Sequence, residues 1–182
     1  MLTRLLTMGL VVFGIGTSVA SAQHMPTPSE EHQVVMRDVG NWSIEGKMLM
    51  PGGFQEFKGE ERVEAIGKFW TVSHYKSDAF GGLVGSATMG FDPKTNEFVG
   101  TWVDSFQPSV TTMKGSYDEK TNTMTYDTTS VGMDGKPMAG KIIVKYTDQN
   151  SHTFTMMHQD PTGQSDKMVE TIEMTYTRKG DS

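Results

Sequence analysis

From Trp42 onward, apolar and polar residues alternate with a period of two. Trp42, Ile44, Met48 and Met50 stand against Ser43, Glu45, Lys47 and Leu49, with Gly46 at a bend. This is the pattern of a strand that buries one face. Comparable segments recur near 60–67, 69–77, 83–91, 97–106, 110–117, 123–130, 139–147, 152–158 and 167–178, so ten strands are predicted. Upstream, Thr27-Pro28-Ser29-Glu30 offers Thr as an N-cap, Pro at the first helical position and Glu at the third, and Gly40 supplies a stop. Those signals predict one short helix over 28–39. The connections are turn-sized. Asp92-Pro93-Lys94-Thr95-Asn96 and Asp118-Glu119-Lys120-Thr121-Asn122 are near copies, each with Asp to open a turn and Asn to accept a left-handed conformation. No stretch is long enough for crossover helices, so a meander of this many strands protects its edges by closing. The expected fold class is all-β, an antiparallel up-and-down β-barrel of about ten strands with one short N-terminal helix.

Ordered motifs point the same way. Gly90-Phe91-Asp92-Pro93 is followed by Phe98-Val99-Gly100-Thr101-Trp102-Val103-Asp104-Ser105; Gly40-Asn41-Trp42, Gly67-Lys68-Phe69-Trp70-Thr71-Val72, Gly115-Ser116-Tyr117-Asp118 and Glu173-Met174-Thr175-Tyr176-Thr177-Arg178-Lys179 flank them. In this order they resemble the bacterial domain-of-unknown-function family fifteen-seventy-nine across roughly residues 33 to 179, with Gly67-Lys68 standing where many members have Gly-Gly. The resemblance implies a calycin-like, lipocalin-like barrel. It carries over no established activity and no agreed catalytic residues.

The N-terminus adds a compartment. Arg4, the apolar run Leu5 to Gly16, and Ala20-Ser21-Ala22 have the order of a secretory signal peptide. The apolar run is shorter than the roughly 20 residues that span a bilayer. Cleavage after Ala22 is therefore expected, with residues 1–22 as signal peptide, 23–27 as linker and 28–180 as a single barrel domain, exported to the periplasm or the medium as a soluble product with no membrane insertion. The 182-residue chain has 22 acidic and 16 basic residues, and losing Arg4 leaves 22 against 15, a net charge of −7. That sign repels nucleic acid. Cysteine is absent, which excludes thiol catalysis, thiolate zinc sites and iron–sulfur clusters.

Taking one face per strand by alternation places all three tryptophans inside, with methionines spread one or two per strand. Nine residues are the expected ligand-binding set: Trp42, Trp70, Met89, Trp102 and Met156 as apolar wall, and His74, Asp104, His158 and Glu170 as inward polar groups. An aromatic and methionine lining suits a flat or irregular apolar ligand if the barrel is hollow. The four polar residues read either as a cluster orienting a ligand head group or a metal, or as separate strand-end groups facing water. No H-x-H or H-E-x-x-H spacing concentrates ligands, and G-x-S-x-G, P-loop and dinucleotide patterns are absent. No catalytic residue, metal ligand or cofactor is assigned, and the enzyme question is left open, leaning to no. The leading expectation is an exported calycin-like protein holding a small, largely apolar ligand inside the barrel. An enzyme or metal-binding protein using a His/Asp/Glu cluster at the rim, and a solid-cored structural or interaction module, stay open beside it.

Overall fold

The computed structural model describes residues 26–132, 135–159 and 167–180; the expected signal peptide lies outside them. A helix α1 (Glu30–Met36) leads into ten strands: β1 (Gly40–Met50), β2 (Gly53–Ile66), β3 (Trp70–Ser77), β4 (Leu83–Asp92), β5 (Glu97–Asp104), β6 (Thr111–Asp118), β7 (Thr123–Val131), β8 (Pro137–Tyr146), β9 (Ser151–Gln159) and β10 (Met168–Arg178). Each strand pairs antiparallel with its neighbours in sequence, and β1 pairs with β10, so the sheet closes as a ten-stranded up-and-down barrel. Closure removes both edges.

The turn chemistry acts as the sequence predicts. Asn96 and Asn122 sit at φ 57 and 53, Asp92 Oδ1 accepts from the Lys94 N–H at 2.9 Å, and Asp118 Oδ1 accepts from the Lys120 N–H at 3.0 Å. The helix is shorter than the expected 28–39. Ser29, not Thr27, is its N-cap, and the Ser29 N–H donates to His32 Nδ1 at 3.0 Å, so His32 does what Glu does in the usual capping box. The chain leaves the helix at Arg37 because Arg178 on β10 draws it toward the sheet, donating to the Arg37 and Val39 carbonyls at 2.8 and 2.6 Å. Gly40 is therefore a strand residue at φ 144, where a Cβ would collide with the Arg178 guanidinium.

α1 closes one end of the barrel, with Val35 buried in an apolar cluster of Phe91, Phe98, Met113, Met124, Tyr126, Ile142 and Tyr146. A second cluster gathers Trp42, Ile44, Met48, Phe57, Tyr75, Met174 and Tyr176, and Trp102 and Phe154 pack against both. Inward glycines make room for the large rings: a Cβ at Gly46, Gly85 or Gly115 would strike the ring of Phe57, Trp102 or Tyr126 on the next strand. The outer face carries paired charges, among them Lys47–Glu173 at 2.8 Å, Lys141–Asp127 at 2.6 Å and Glu60 between Lys76 and Lys179. No helix among the described residues is long and apolar enough to cross a membrane.

Three of the expected inward residues face outward. Trp70 and His74 lie on the outer face of β3, because Thr71, Ser73 and Tyr75 take the inner one. The tryptophan that suggested the opposite face is 38% exposed and lies over Gly90, its cross-strand partner on β4. Glu170 is exposed because β10 has a bulge between Glu170 and Ile172. The extra residue, Thr171, reverses the period-two phase, so Val169 pairs with inward His158 and Glu170 with outward Met157.

Candidate functional site

The barrel is hollow. A cavity of about 400 Å³ runs along its interior, within the range of small-molecule sites. Trp42, Met89, Trp102, Asp104, Met156 and His158 of the expected set line it; Trp70, His74 and Glu170 do not. The wall is mostly apolar, with methionines on β1, β4, β6, β7, β8, β9 and β10.

The two ends differ. At the end away from α1, Phe80 and Phe106 are half-exposed, with ring centroids 5.4 Å apart, and flank the mouth. Asp104 sits just inside it, fully engaged in local structure: Oδ2 accepts from the Trp102 indole N–H at 2.9 Å, and Oδ1 accepts from the Phe106 and Gln107 N–H groups at 2.8 and 3.0 Å. It thus fixes the Trp102 ring and the start of the β5–β6 loop. His158, toward the same end, shares a 2.9 Å hydrogen bond with the Thr171 hydroxyl of the bulge, and burial lowers its pKa. His74 stands outside, so the two histidines do not converge, and no three His, Asp or Glu side chains among the described residues are arranged to hold a metal ion.

The closed end holds a polar floor, of which the expected ligand-binding set contained Trp42 alone. Strand register assembles it. On one side of the β1/β10 seam, Tyr75, Glu61 and Trp42 stand directly across from one another on β3, β2 and β1; on the other, Tyr176, His152 and Tyr146 do so on β10, β9 and β8. All six side chains line the cavity. His152 stacks on Tyr176 with centroids 4.5 Å apart and meets the Trp42 ring edge-on at 4.7 Å. Asp38, from the α1–β1 connection, completes the group: its Oδ2 accepts from the Tyr146 hydroxyl at 3.2 Å, and its carbonyl accepts from the Trp42 indole at 2.8 Å.

Electrostatics follow from enclosure. Burial pushes the Asp38 carboxyl up to about 7, with the Glu61 charge adding to the shift and Tyr146, Arg37 and Arg178 opposing it. Glu61 is raised by the same desolvation, while the Ser73 and Tyr176 hydroxyls favour its charged form. It is half-buried and lines the cavity. The Tyr176 hydroxyl also lies 3.9 Å from the Met174 sulfur, a much weaker acceptor than the carboxylate. Burial, then the Arg178 and Arg37 charges, lower His152 to about 4, so it is neutral. Burial first, and the nearby carboxylates second, hold Tyr126, Tyr146 and Tyr176 protonated.

Glu61 was legible in principle. Phe57 and Val63 are inward and six apart, and the residues between them in phase are Gly59 and Glu61. His152 likewise shares the phase of Phe154, Met156 and His158. Asp38 belongs to no periodic segment and carries no such signal.

No curated protein matches the chain. Among solved structures, the crystal structure of Rv2717c from M. tuberculosis superposes with a TM-score of 0.65 at 11% identity, covering 84% of this chain and 99% of that one. A de novo designed fluorescence-activating β-barrel gives a TM-score of 0.42 at 10% identity over 80% of this chain and 97% of the design. At such identity the first likeness bears on the fold alone. The family described as "Protein of unknown function (DUF1579)" matches residues 27–178, nearly the whole barrel with its helix, and the chain belongs to it.

Proposed function

We propose that this protein is exported and holds a small, largely apolar ligand inside its barrel. One observation carries the reading: the interior is a cavity of about 400 Å³ walled by methionine and aromatic side chains, not a solid core. An apolar occupant that covers such a wall removes apolar surface from water, which favours its binding. The open end flanked by Phe80 and Phe106 is the entry route, and the paired charges outside suit a surface facing water. Export rests on the sequence order of Arg4, the apolar run and Ala20-Ser21-Ala22.

The test is titration of the mature chain with neutral fluorescent apolar dyes, read through the emission of Trp42 and Trp102. Saturation near one equivalent is expected, and Met89→Gln and Met156→Gln should weaken the dye at least fivefold while the far-ultraviolet circular dichroism is retained. A folded sample that gives no saturable signal with any dye sinks the reading.

A further inference from the structure

Three carboxylates line the interior, Asp38, Glu61 and Asp104, and among the described residues no lysine or arginine does. Asp104 is consumed at the mouth by the Trp102 indole and two backbone N–H groups. The other two sit together on the floor. The nearest cations are spoken for on the far side of the wall. Arg178 donates to the carbonyls of Gln149, Val39 and Arg37, with its guanidinium 4.2 Å from the Trp42 ring; Arg37 donates to Tyr117 and Asn122, 4.4 Å from the Tyr146 ring. Neither donates a hydrogen bond to a carboxyl inside, and their charges act on Asp38 only as a minor opposition to the effect of its burial.

The floor also has unmet hydrogen-bonding capacity. Asp38 Oδ1 is buried with no partner. Neither the Tyr126 hydroxyl nor either ring nitrogen of His152 has a hydrogen-bond partner among the described residues, although both side chains are deeply buried and line the cavity. Polar groups left like this in an apolar enclosure cost stability, and a ligand group that satisfies them recovers it. The missing complement to two carboxyls is a donor, ideally a cation.

We propose that the cavity selects an apolar molecule ending in an amine, with its ammonium held by the Asp38 and Glu61 carboxyls on the floor and its hydrocarbon along the methionine-lined wall. This rests on the ligand-binding reading above and names its chemistry. An apolar anion such as a fatty-acid carboxylate is disfavoured, since it meets two acids on the floor and, among the described residues, no lysine or arginine lining the cavity. The selection is pH-dependent. Asp38, faced by Glu61, Tyr126, Tyr146, His152, Arg37 and Arg178, must lose its proton to pair with an ammonium, so amine affinity rises with pH up to about 7 and then levels.

Calorimetric titration of the mature protein with decylamine, decanol and decanoate at pH 7.5 tests this. Decylamine should bind near one equivalent and at least tenfold more tightly than decanol, with decanoate the weakest. Glu61→Gln and Asp38→Asn should each remove most of the amine's advantage while leaving decanol affinity within about twofold, which also shows that the variants fold. Glu170→Gln, on the outer surface, should change nothing. Between pH 5.5 and 7 the affinity for decylamine should rise by about an order of magnitude, and that for decanol should stay flat. Decanol binding as well as decylamine, or decanoate binding best, overturns the selection and leaves the cavity reading standing. None of the three binding to folded protein overturns both.

Discussion

Two buried groups on the floor tilt the stability of the barrel in opposite directions with pH, and each can be isolated by removing the other. The Asp38 carboxyl is raised from 3.8 to about 7 in the fold, first by desolvation. Between those values the folded state keeps a proton that the unfolded chain has released. Stability is therefore lost as pH rises through that window, by about 4 kcal/mol at ~1.4 kcal/mol per pH unit. His152 runs the other way. It is lowered from 6.5 to about 4, again first by desolvation, so between those values the unfolded chain holds the extra proton. Stability is lost as pH falls through that range, by about 3 kcal/mol. From about pH 4 to 6.5 the two slopes oppose each other, and Glu61, also raised, adds to the Asp38 side.

Urea unfolding of wild type, Asp38→Asn and His152→Phe at pH 4.5, 5.5, 6.5 and 7.5 reads this out. Relative to wild type, Asp38→Asn should gain stability steadily as pH rises, by a few kcal/mol across the series. His152→Phe, which keeps a ring to stack on Tyr176, should gain relative to wild type as pH falls. Because the two residues share neighbours, each is compared with wild type and not with the other. If all three stability curves run parallel, neither group is enclosed as the floor requires, and the electrostatic account of the site fails.

Two further outcomes follow. Trp42→Ala should cost ~3–5 kcal/mol, since the ring is 2% exposed and meets His152 and Tyr176, whereas Trp70→Ala, whose ring lies outside over Gly90, should cost less than ~1 kcal/mol in the same unfolding assay; equal costs would contradict the face assignment of β3. Protein recovered from the periplasm of its expression host should begin at Gln23 by N-terminal sequencing, and a product beginning at Met1 would refute export.

The barrel itself was legible because its strands obey one rule. A half-buried strand shows its phase in sequence, and the Asp-to-Asn turns repeat it at fixed spacing, so strand number and order follow. The rule failed where a second force set the phase. In β3 the inner face is Thr71, Ser73 and Tyr75, polar because it stands beside Glu61, and the large outer tryptophan covers a glycine across the strand pair. A pattern that assumes the bulkier face is the buried one inverts such a strand. In β10 one bulged residue shifted the phase between Glu170 and Ile172, which no composition rule announces. β2 begins at Gly53, earlier than its apolar pattern, because backbone pairing with β1 across the Pro51-Gly52 turn orders a stretch as polar as Gln55, Glu56 and Lys58.

The floor was hidden for a different reason. Its residues become neighbours only when β1 pairs with β10: Glu61 and Trp42 reach it from one side of that seam, Tyr176 and His152 from the other, and Asp38 from the chain just before β1. The seam is held where the floor lies, by Arg178 donating to the Arg37 and Val39 carbonyls and by the Lys179 N–H donating to the Asn41 carbonyl at 2.8 Å. Site and closure are therefore one structure, and anything that binds the floor binds the closed barrel alone. By mass action such a ligand stabilises closure in proportion to the logarithm of its free concentration over its dissociation constant, once that ratio is large. The unsatisfied acid on the floor has the complementary effect, weakening the empty barrel at the position where an occupant would strengthen it.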